Sequence, residues 1–102
     1  MTGKQRRYLR GLGQRLTPTL HVGHEGVSDA VIAQADAQLE AHELIKVRVG
    51  DNAPADRHAT AEDLAARTRA HLAQVIGRTA LLYRRREEEP VIVFPSEGGR
   101  GD

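Results

Sequence analysis

The sequence has no cysteine and no tryptophan, and only 3% of its residues are aromatic. The lack of cysteine excludes disulfides, thiol nucleophiles and zinc sites built on thiolates. The scarcity of aromatic rings excludes the aromatic platform on which many RNA-binding modules stack bases. No apolar run approaches the ~20 residues that a membrane span needs, and the basic N-terminus lacks the apolar stretch of a secretory signal. We therefore expect a cytoplasmic protein without membrane association.

The 102 residues and the 39% apolar content are those of one small domain. We place that domain at residues 1–95 and expect residues 96–102 to form a flexible tail. No internal repeat or second domain is apparent, and we expect a monomer.

The net charge of +1 conceals an uneven distribution. Residues 1–22 contain lysine and arginine but no acidic residue, whereas the chain from Glu87 onward is acidic. A basic body with an acidic end favours a polyanionic partner.

The apolar periodicity predicts the element order α-β-α-β-α-β-β, with a further strand at the end. The first helix is basic and amphipathic, Ser28 caps the second, and Thr60 with Asp63 resembles a capping box for the third. The predicted helices span 3–16, 28–41 and 60–73, and the predicted strands span 19–22, 44–49, 74–76, 79–84 and, at an edge, 91–94.

A Gly-x-x-Gly turn, residues 23–26, lies between the first strand and the second helix. Gly23 and Gly26 permit positive φ and allow another molecule to approach the backbone closely. The helix that begins near Ser28 directs its unpaired N–H groups and positive dipole end at this turn. The arrangement predicts a phosphate site, although an ordinary turn between strand and helix gives the same short pattern.

Other chemistry finds little support in the sequence. The five histidines have neither the spacing of a helical zinc site nor an H-E-x-x-H motif, and no P-loop or nucleophile elbow is present. We expect no metal, no cofactor and no enzymatic activity. His24 is instead a candidate donor to a phosphate.

The basic residues are a stronger indication of function. A fold that brought them beside the Gly-x-x-Gly turn would form a surface that follows a phosphate backbone. With Gly23, His24 and Gly26, the predicted RNA-binding residues are Lys4, Arg6, Arg7, Arg10, Lys46, Arg48, Arg78 and Arg84.

Two other functions remain open on the residues alone. The acidic face formed by Asp29, Asp36 and Glu40, with the run 87–89, suits a module that docks on a protein. A small hydrolase would have to depend on His24, and we expect no turnover from it.

Several spaced blocks together resemble one family. They are Leu12-Gly13-Gln14-Arg15-Leu16-Thr17-Pro18, Val22-Gly23-His24-Glu25-Gly26-Val27, His42-Glu43-Leu44-Ile45-Lys46-Val47, Gln74-Val75-Ile76-Gly77-Arg78-Thr79 and Leu82-Tyr83-Arg84. Over residues 3–95 the chain resembles the CRM domain (chloroplast RNA splicing and ribosome maturation), and most closely its bacterial YhbY-like form.

The resemblance implies a two-layer α/β (α+β) domain, with three helices on a mixed four-stranded sheet, similar to the C-terminal domain of translation initiation factor three. It also implies an RNA-binding factor of ribosome assembly that binds rRNA in large-subunit precursors, with ribosomal proteins as further partners. The family's GxxG loop falls on residues 23–26, and its basic first helix falls on Lys4, Arg6, Arg7 and Arg10. Glu25 departs from the neutral or basic centre that this loop usually has.

Overall fold

The computed structural model of the protein describes residues 1–95. It contains three helices and a four-stranded mixed sheet in the predicted order. No helix in these residues is both long enough and apolar enough to cross a membrane. In chain order the elements are α1 Gly3–Gly13, β1 Leu20–Val22, α2 Asp29–His42, β2 Leu44–Val49, α3 Arg57–Thr68, β3 His71–Ile76 and β4 Thr79–Tyr83.

The strands lie in the order β1-β2-β4-β3. β1 runs parallel to β2, and the other neighbouring pairs are antiparallel. The register places Val22 beside Val49, and Arg48 beside Thr79. Consequently the turn that follows β1, the loop that follows β2 and the β3–β4 hairpin all lie at the same end of the sheet.

The two faces of the sheet are covered by different elements. Side chains of α2 and α3, including Leu39 and Leu64, pack with Ile45 and Val47 of β2 on one face. On the other face, Leu9 of α1 packs with Leu44. Alternation along β2 therefore puts Lys46 and Arg48 on the α1 side.

Helix α1 begins with a reciprocal capping box between Thr2 and Gln5 and ends at Gly13, earlier than the predicted residue 16. Gly13 is buried, and a Cβ atom built there would lie 2.7 Å from both Cδ atoms of Leu81. The glycine thus permits the close approach of α1 to the sheet. Proline at position 18 does not set the helix end, because the chain has already left the helix.

The predicted bounds of α3 were wrong by about one turn. Asp56 is the N-cap, since its Oδ1 accepts a hydrogen bond from Ala59 N at 2.8 Å. Thr60 lies inside the helix with its hydroxyl donating to Ala55 O, so the proposed capping box with Asp63 does not form. The helix ends at Thr68 because Arg69 adopts a left-handed conformation with φ of 59°. The predicted end at residue 73 falls instead within β3.

The predicted final strand, 91–94, does not form. Residues 91–95 have no assigned strand, yet Ile92 and Phe94 pack against the core on the α1 side. Val91 and Val93 point outward and are exposed. We call residues 86–95 the C-terminal strap. The predicted flexible tail at 96–102 lies outside the described residues.

Candidate nucleic-acid interface

The Gly-x-x-Gly turn is a hydrogen-bonded turn that leads directly into α2. Gly26 N donates to Gly23 O at 3.0 Å, and Ser28 N donates to Gly26 O at 3.0 Å. The Ser28 hydroxyl then caps α2 by accepting from Val31 N at 3.2 Å. The predicted order of strand, glycine turn and capped helix is therefore present.

The two glycines of the turn have different roles. Gly26 has φ of +69°, which disfavours other residues, and an added Cβ would contact Pro54 at 3.4 Å. Gly23 does not adopt a positive φ, and nothing lies within 4 Å of a Cβ built there. The prediction of positive φ thus holds for Gly26 alone, whereas Gly23 leaves a stretch of backbone open to an outside molecule.

The two residues between the glycines project into solvent. The side chains of His24 and Glu25 are 76% and 75% exposed, and His24 Nε2 lies 4.0 Å from Glu25 Oε2. The negative charge of Glu25 is therefore exposed at the turn, beside the imidazole of His24. A protonated His24 would partly offset its charge.

Two of the predicted basic residues lie at the same end of the sheet as this turn. Arg48 of β2 is exposed and is paired in register with His21 of β1. Arg78 of the hairpin donates from Nε to Asp51 Oδ1 at 2.6 Å, with both side chains accessible to solvent. Within residues 1–95, Arg48 has no such acidic partner.

The basic helix begins at a distance from the Gly-x-x-Gly turn. The first turn of α1 lines a cavity with His71 and Tyr83, at the opposite end of the sheet from the Gly-x-x-Gly turn. The six residues of β2 separate the two ends by about 20 Å at 3.4 Å per residue. The basic residues of α1 and β2 therefore form an extended surface on the α1 side.

We call this surface the basic face. Within residues 1–95 none of its cations is ion-paired with an acidic residue. Arg15, which follows α1, was absent from the predicted set and belongs here, as its place just after a basic helix could have indicated. The members of the basic face are Lys4, Arg6, Arg7, Arg10, Arg15, Lys46 and Arg48.

Arg84, in contrast, is bound within the fold. Its guanidinium donates to Asp36 Oδ1 at 2.6 Å and to Thr68 O at 2.9 Å, and lies 3.5 Å from Glu40 Oε1. This arginine therefore fixes the end of β4 to α2 and lies apart from the basic face. The same contacts partly neutralise the acidic face of α2.

Glu43 is a buried charged residue to which the sequence pattern assigned no role. It is the C-cap of α2, with φ of 66° and no exposed surface. Its carboxylate accepts hydrogen bonds from three strap amides: Arg86 N at 2.7 Å, Val91 N at 2.9 Å and Ile92 N at 2.7 Å. Burial raises the pKa of the Glu43 carboxyl, but these three N–H groups outweigh it, so that the net pKa is below 4.5. Glu43 thus anchors the strap beside α1.

The remaining titratable residues form no metal centre within residues 1–95. No three histidine, aspartate or glutamate side chains there come together in a way that could hold a metal ion.

A family model matches this arrangement of helices and strands. The CRS1/YhbY (CRM) domain model matches residues 1–84, from the N-terminal cap of α1 through β4. The chain belongs to the CRS1/YhbY (CRM) domain family. The match includes the Gly-x-x-Gly turn and the basic face, whereas the strap follows its last residue.

Individual relatives support the same assignment. The chain is 44% identical over 95 residues to the probable RNA-binding protein YqeI of Bacillus subtilis (strain 168), covering 93% of this chain and 99% of that protein. It is 32% identical over 91 residues to a protein of Haemophilus influenzae (strain ATCC 51907 / DSM 11121 / KW20 / Rd) named an RNA-binding protein, covering 89% and 92% of the two chains.

A solved structure has the same fold. It is the solution structure of the hypothetical protein SAV1595 from Staphylococcus aureus, described as a candidate RNA-binding protein. The TM-score is 0.79 at 42% identity, and the likeness covers 93% of this chain and 99% of that one.

Proposed function

We propose that this CRM-domain protein binds RNA, and that its target is rRNA in precursors of the large ribosomal subunit. The observation that carries the proposal is the basic face, a surface of cations that no acidic side chain of residues 1–95 neutralises. Its position in a family whose relatives are named for RNA binding supports RNA as the polyanion. The ribosomal target follows from the family resemblance of the sequence and requires its own test.

At the Gly-x-x-Gly turn, the backbone itself is the contacting group. The open surface at Gly23 lets a phosphate approach the main chain, and the N-terminal end of α2 adds favourable potential. His24 supplies a side-chain donor beside it. This geometry suits recognition of the sugar-phosphate backbone, since the turn presents no aromatic ring for a base.

The basic face extends the contact along the RNA. If five phosphates are neutralised, log K against log salt should fall with a slope near −3.5 for a single strand, at about −0.7 per phosphate. Filter binding or fluorescence anisotropy with rRNA fragments over a range of potassium chloride measures this slope. A slope close to zero would refute the electrostatic mechanism.

The arginines of α1 can be compared with arginines of α3, which packs on the other face of the sheet. Neutralising Arg6 and Arg10 together to glutamine should make the slope less steep by about 1.4, because two phosphate contacts are removed. The same change at Arg67 and Arg69, at the end of α3 away from the turn, should leave it unaltered. Equal effects of the two double variants would show that only the net charge matters, and not the basic face.

The turn is tested at Gly23, where the fold has room for a side chain. Replacing Gly23 with aspartate should weaken RNA binding while the unfolding temperature stays unchanged. Ala41→Asp, at an exposed position in the last turn of α2, adds the same charge at the end of that helix away from the turn and controls for net charge. Wild-type affinity in the Gly23 variant would place the phosphate site elsewhere.

Replacement of Glu25 should raise the affinity for RNA, whereas the change at Gly23 should lower it. A unit charge about 5 Å from a phosphate in water repels it by about 0.8 kcal/mol. Glu25→Gln should therefore tighten RNA binding by about fourfold at low salt, and the gain should shrink as salt increases. Unchanged affinity would mean that the carboxylate lies too far from the bound phosphate to affect it.

The ribosomal part of the proposal is tested in cells. Ultraviolet crosslinking followed by sequencing of the bound RNA should recover large-subunit rRNA, with the protein co-sedimenting with precursor particles. Recovery of messenger or transfer RNA alone would leave RNA binding intact and refute the ribosomal target.

The docking alternative is less well supported by the geometry. Asp36 and Glu40, two residues of the acidic face, are engaged by Arg84. Association with precursor particles that survives complete ribonuclease treatment would nevertheless favour docking on a protein.

A further inference from the structure

A groove with a cavity volume of about 500 Å³ opens on the α1 side of the sheet. It lies between the end of α1, strand β2 and the C-terminal strap. Its walls and floor are mainly apolar, and this size is within the usual range of small-molecule pockets. The apolar lining residues are Leu12 and Leu16, which follow one stripe of α1 and its extension, Leu44 of β2 and Ile92 of the strap.

The polar residues at this groove are mostly basic. Arg15 and Lys46 both line it, and His42 adds an imidazole. No aspartate or glutamate of residues 1–95 is among the lining side chains. The groove therefore combines an apolar interior with an entrance suited to anions.

The groove is held in place by hydrogen bonds on two sides. Thr19 N donates to Lys46 O at 3.0 Å, and the Thr19 hydroxyl and carbonyl are both bonded to the Gln38 amide, at 2.7 and 3.0 Å. On the other side, the Glu43 carboxylate fixes Ile92 N at 2.7 Å. A ligand would thus meet a preformed site and would order little of the chain on binding.

The aromatic rings of the described chain are engaged elsewhere. The ring of Phe94 lies 5.8 Å from that of Tyr8 and 5.5 Å from that of Tyr83, measured between centroids. These rings pack on one another and line no part of this groove. The apolar part of this groove is therefore aliphatic.

We propose that the groove between Leu12, Lys46 and Ile92 is the binding site for one unstacked RNA base, whose flanking phosphates contact Arg15 and Lys46. The inference rests on the proposed RNA binding and adds a base-contacting site to it. Charge complementarity selects the occupant, because an apolar site bordered by unneutralised cations suits a flat ring between two phosphates. Arg15 is also able to lay its guanidinium plane against the base.

The test compares RNA with and without bases. Octamers of uridylate, of adenylate and of abasic ribose phosphate are titrated into the protein with ¹³C-labelled methyl groups, and NMR follows the methyls of Leu12, Leu16 and Ile92. We expect all three octamers to shift the Gly23 amide, and only the two that carry bases to shift the groove methyls. Methyl shifts of equal size with the abasic octamer would overturn the proposal, as would base-dependent shifts confined to the cavity at His71.

Two variants of α1 provide a matched pair. Leu12→Glu places a carboxylate in the groove, whereas Gln14→Glu places the same charge two residues away, at the exposed C-cap of α1 outside the groove lining. We expect about a tenfold loss of affinity for the uridylate octamer with the first and at most about twofold with the second. Leu12→Gln, which adds no charge, should lose affinity for uridylate but not for the abasic octamer. Equal losses in both glutamate variants would refute the groove.

The outcomes separate this inference from the function on which it rests. If none of the octamers and none of the rRNA fragments binds, RNA binding itself is refuted, and the groove proposal with it. If RNA binds with the expected salt slope but the Leu12 variants bind every octamer like the wild type, only the groove proposal fails.

Discussion

Replacement of Glu43 by glutamine should release the C-terminal strap. The variant keeps the size of the side chain but exchanges one carboxylate oxygen for an NH₂ group. Because all three strap partners of Glu43 are N–H donors, at least one would then face another donor. The two that remain bonded would contact a neutral oxygen, which is the weaker acceptor.

The magnitude follows from the number of contacts. A hydrogen bond to a charged group contributes about 1.5–3 kcal/mol, and an unsatisfied buried donor costs about 1–3 kcal/mol. Loss of one such bond and weakening of two should lower the free energy of unfolding by about 2–4 kcal/mol. At about 4–8 °C per kcal/mol for a domain of this size, Tm should fall by at least about 8 °C.

Thermal unfolding by circular dichroism gives the global effect, and amide hydrogen exchange gives the local one. Exchange at Val91 and Ile92 should accelerate by at least tenfold, because their N–H groups lose a charged acceptor. Glu62→Gln, at an exposed site on α3, controls for the charge change and should leave both quantities unaltered. A Tm within 3 °C of the wild type, together with unchanged exchange in the strap, would refute this account of Glu43.

The same residue predicts a dependence on pH. The pKa of Glu43 is lowered in the folded protein relative to 4.5. Its stabilisation is therefore complete above pH 4.5 and is lost as the pH falls through the lower folded value. The difference in stability between the wild type and the Glu43→Gln variant should shrink on acidification below pH 4.5. A difference that is constant from pH 7 to pH 3 would contradict the assignment.

The remaining predictions concern glycines and a helix cap. Gly13→Ala should lower the free energy of unfolding by about 1–3 kcal/mol, because its methyl would overlap a buried leucine of β4. Gly11→Ala has open space around it and should raise the free energy of unfolding by about 0.5–1 kcal/mol. Urea titration of both variants checks these opposite signs. Gly26→Ala should lower the free energy of unfolding by about 1 kcal/mol because position 26 has a positive φ, whereas Gly23→Ala should leave it almost unchanged. Equal Tm values for these two variants would contradict the different roles of the glycines. Asp56→Ala should lower Tm at neutral pH, because α3 loses its N-cap. The Ala59 N–H lowers the pKa of Asp56 from 3.8, so the difference in Tm between the wild type and this variant should disappear as the pH falls below 3.8.

Local chemistry was sufficient to predict the elements with strong signals. The alternation over residues 44–49 gives β2 at its observed bounds, and the serine at position 28 gives the cap of α2. In both cases a short segment contains the whole signal. The start of α3 was missed because Asp56 and Thr60 are both acceptable caps by residue type. The burial of Thr60, which decides between them, is a tertiary property.

The strap shows a different limit of sequence reasoning. An apolar run at 91–94 is typical of a strand, but a strand needs an edge with which to pair. Here three of the strap's amides bond to the side chain of a glutamate more than 40 residues earlier in the chain. No periodicity reveals such a long-range bond between side chain and backbone, so neither the strap nor the burial of Glu43 could be predicted.

The sequence by itself determined the order of helices and strands, the glycine turn before a capped helix, the absence of acidic residues in the first 22 positions and the likeness to the CRM family. These are properties of neighbouring residues, of composition or of a pattern along the chain. Only the tertiary structure decided which cations share a surface. Packing α1 on the face opposite α2 gathers an unneutralised basic face and forms the groove beside Leu12. The packing of α2 on the other face directs Arg84 to Asp36, because ion pairing depends on distances across the fold and not on separation along the chain.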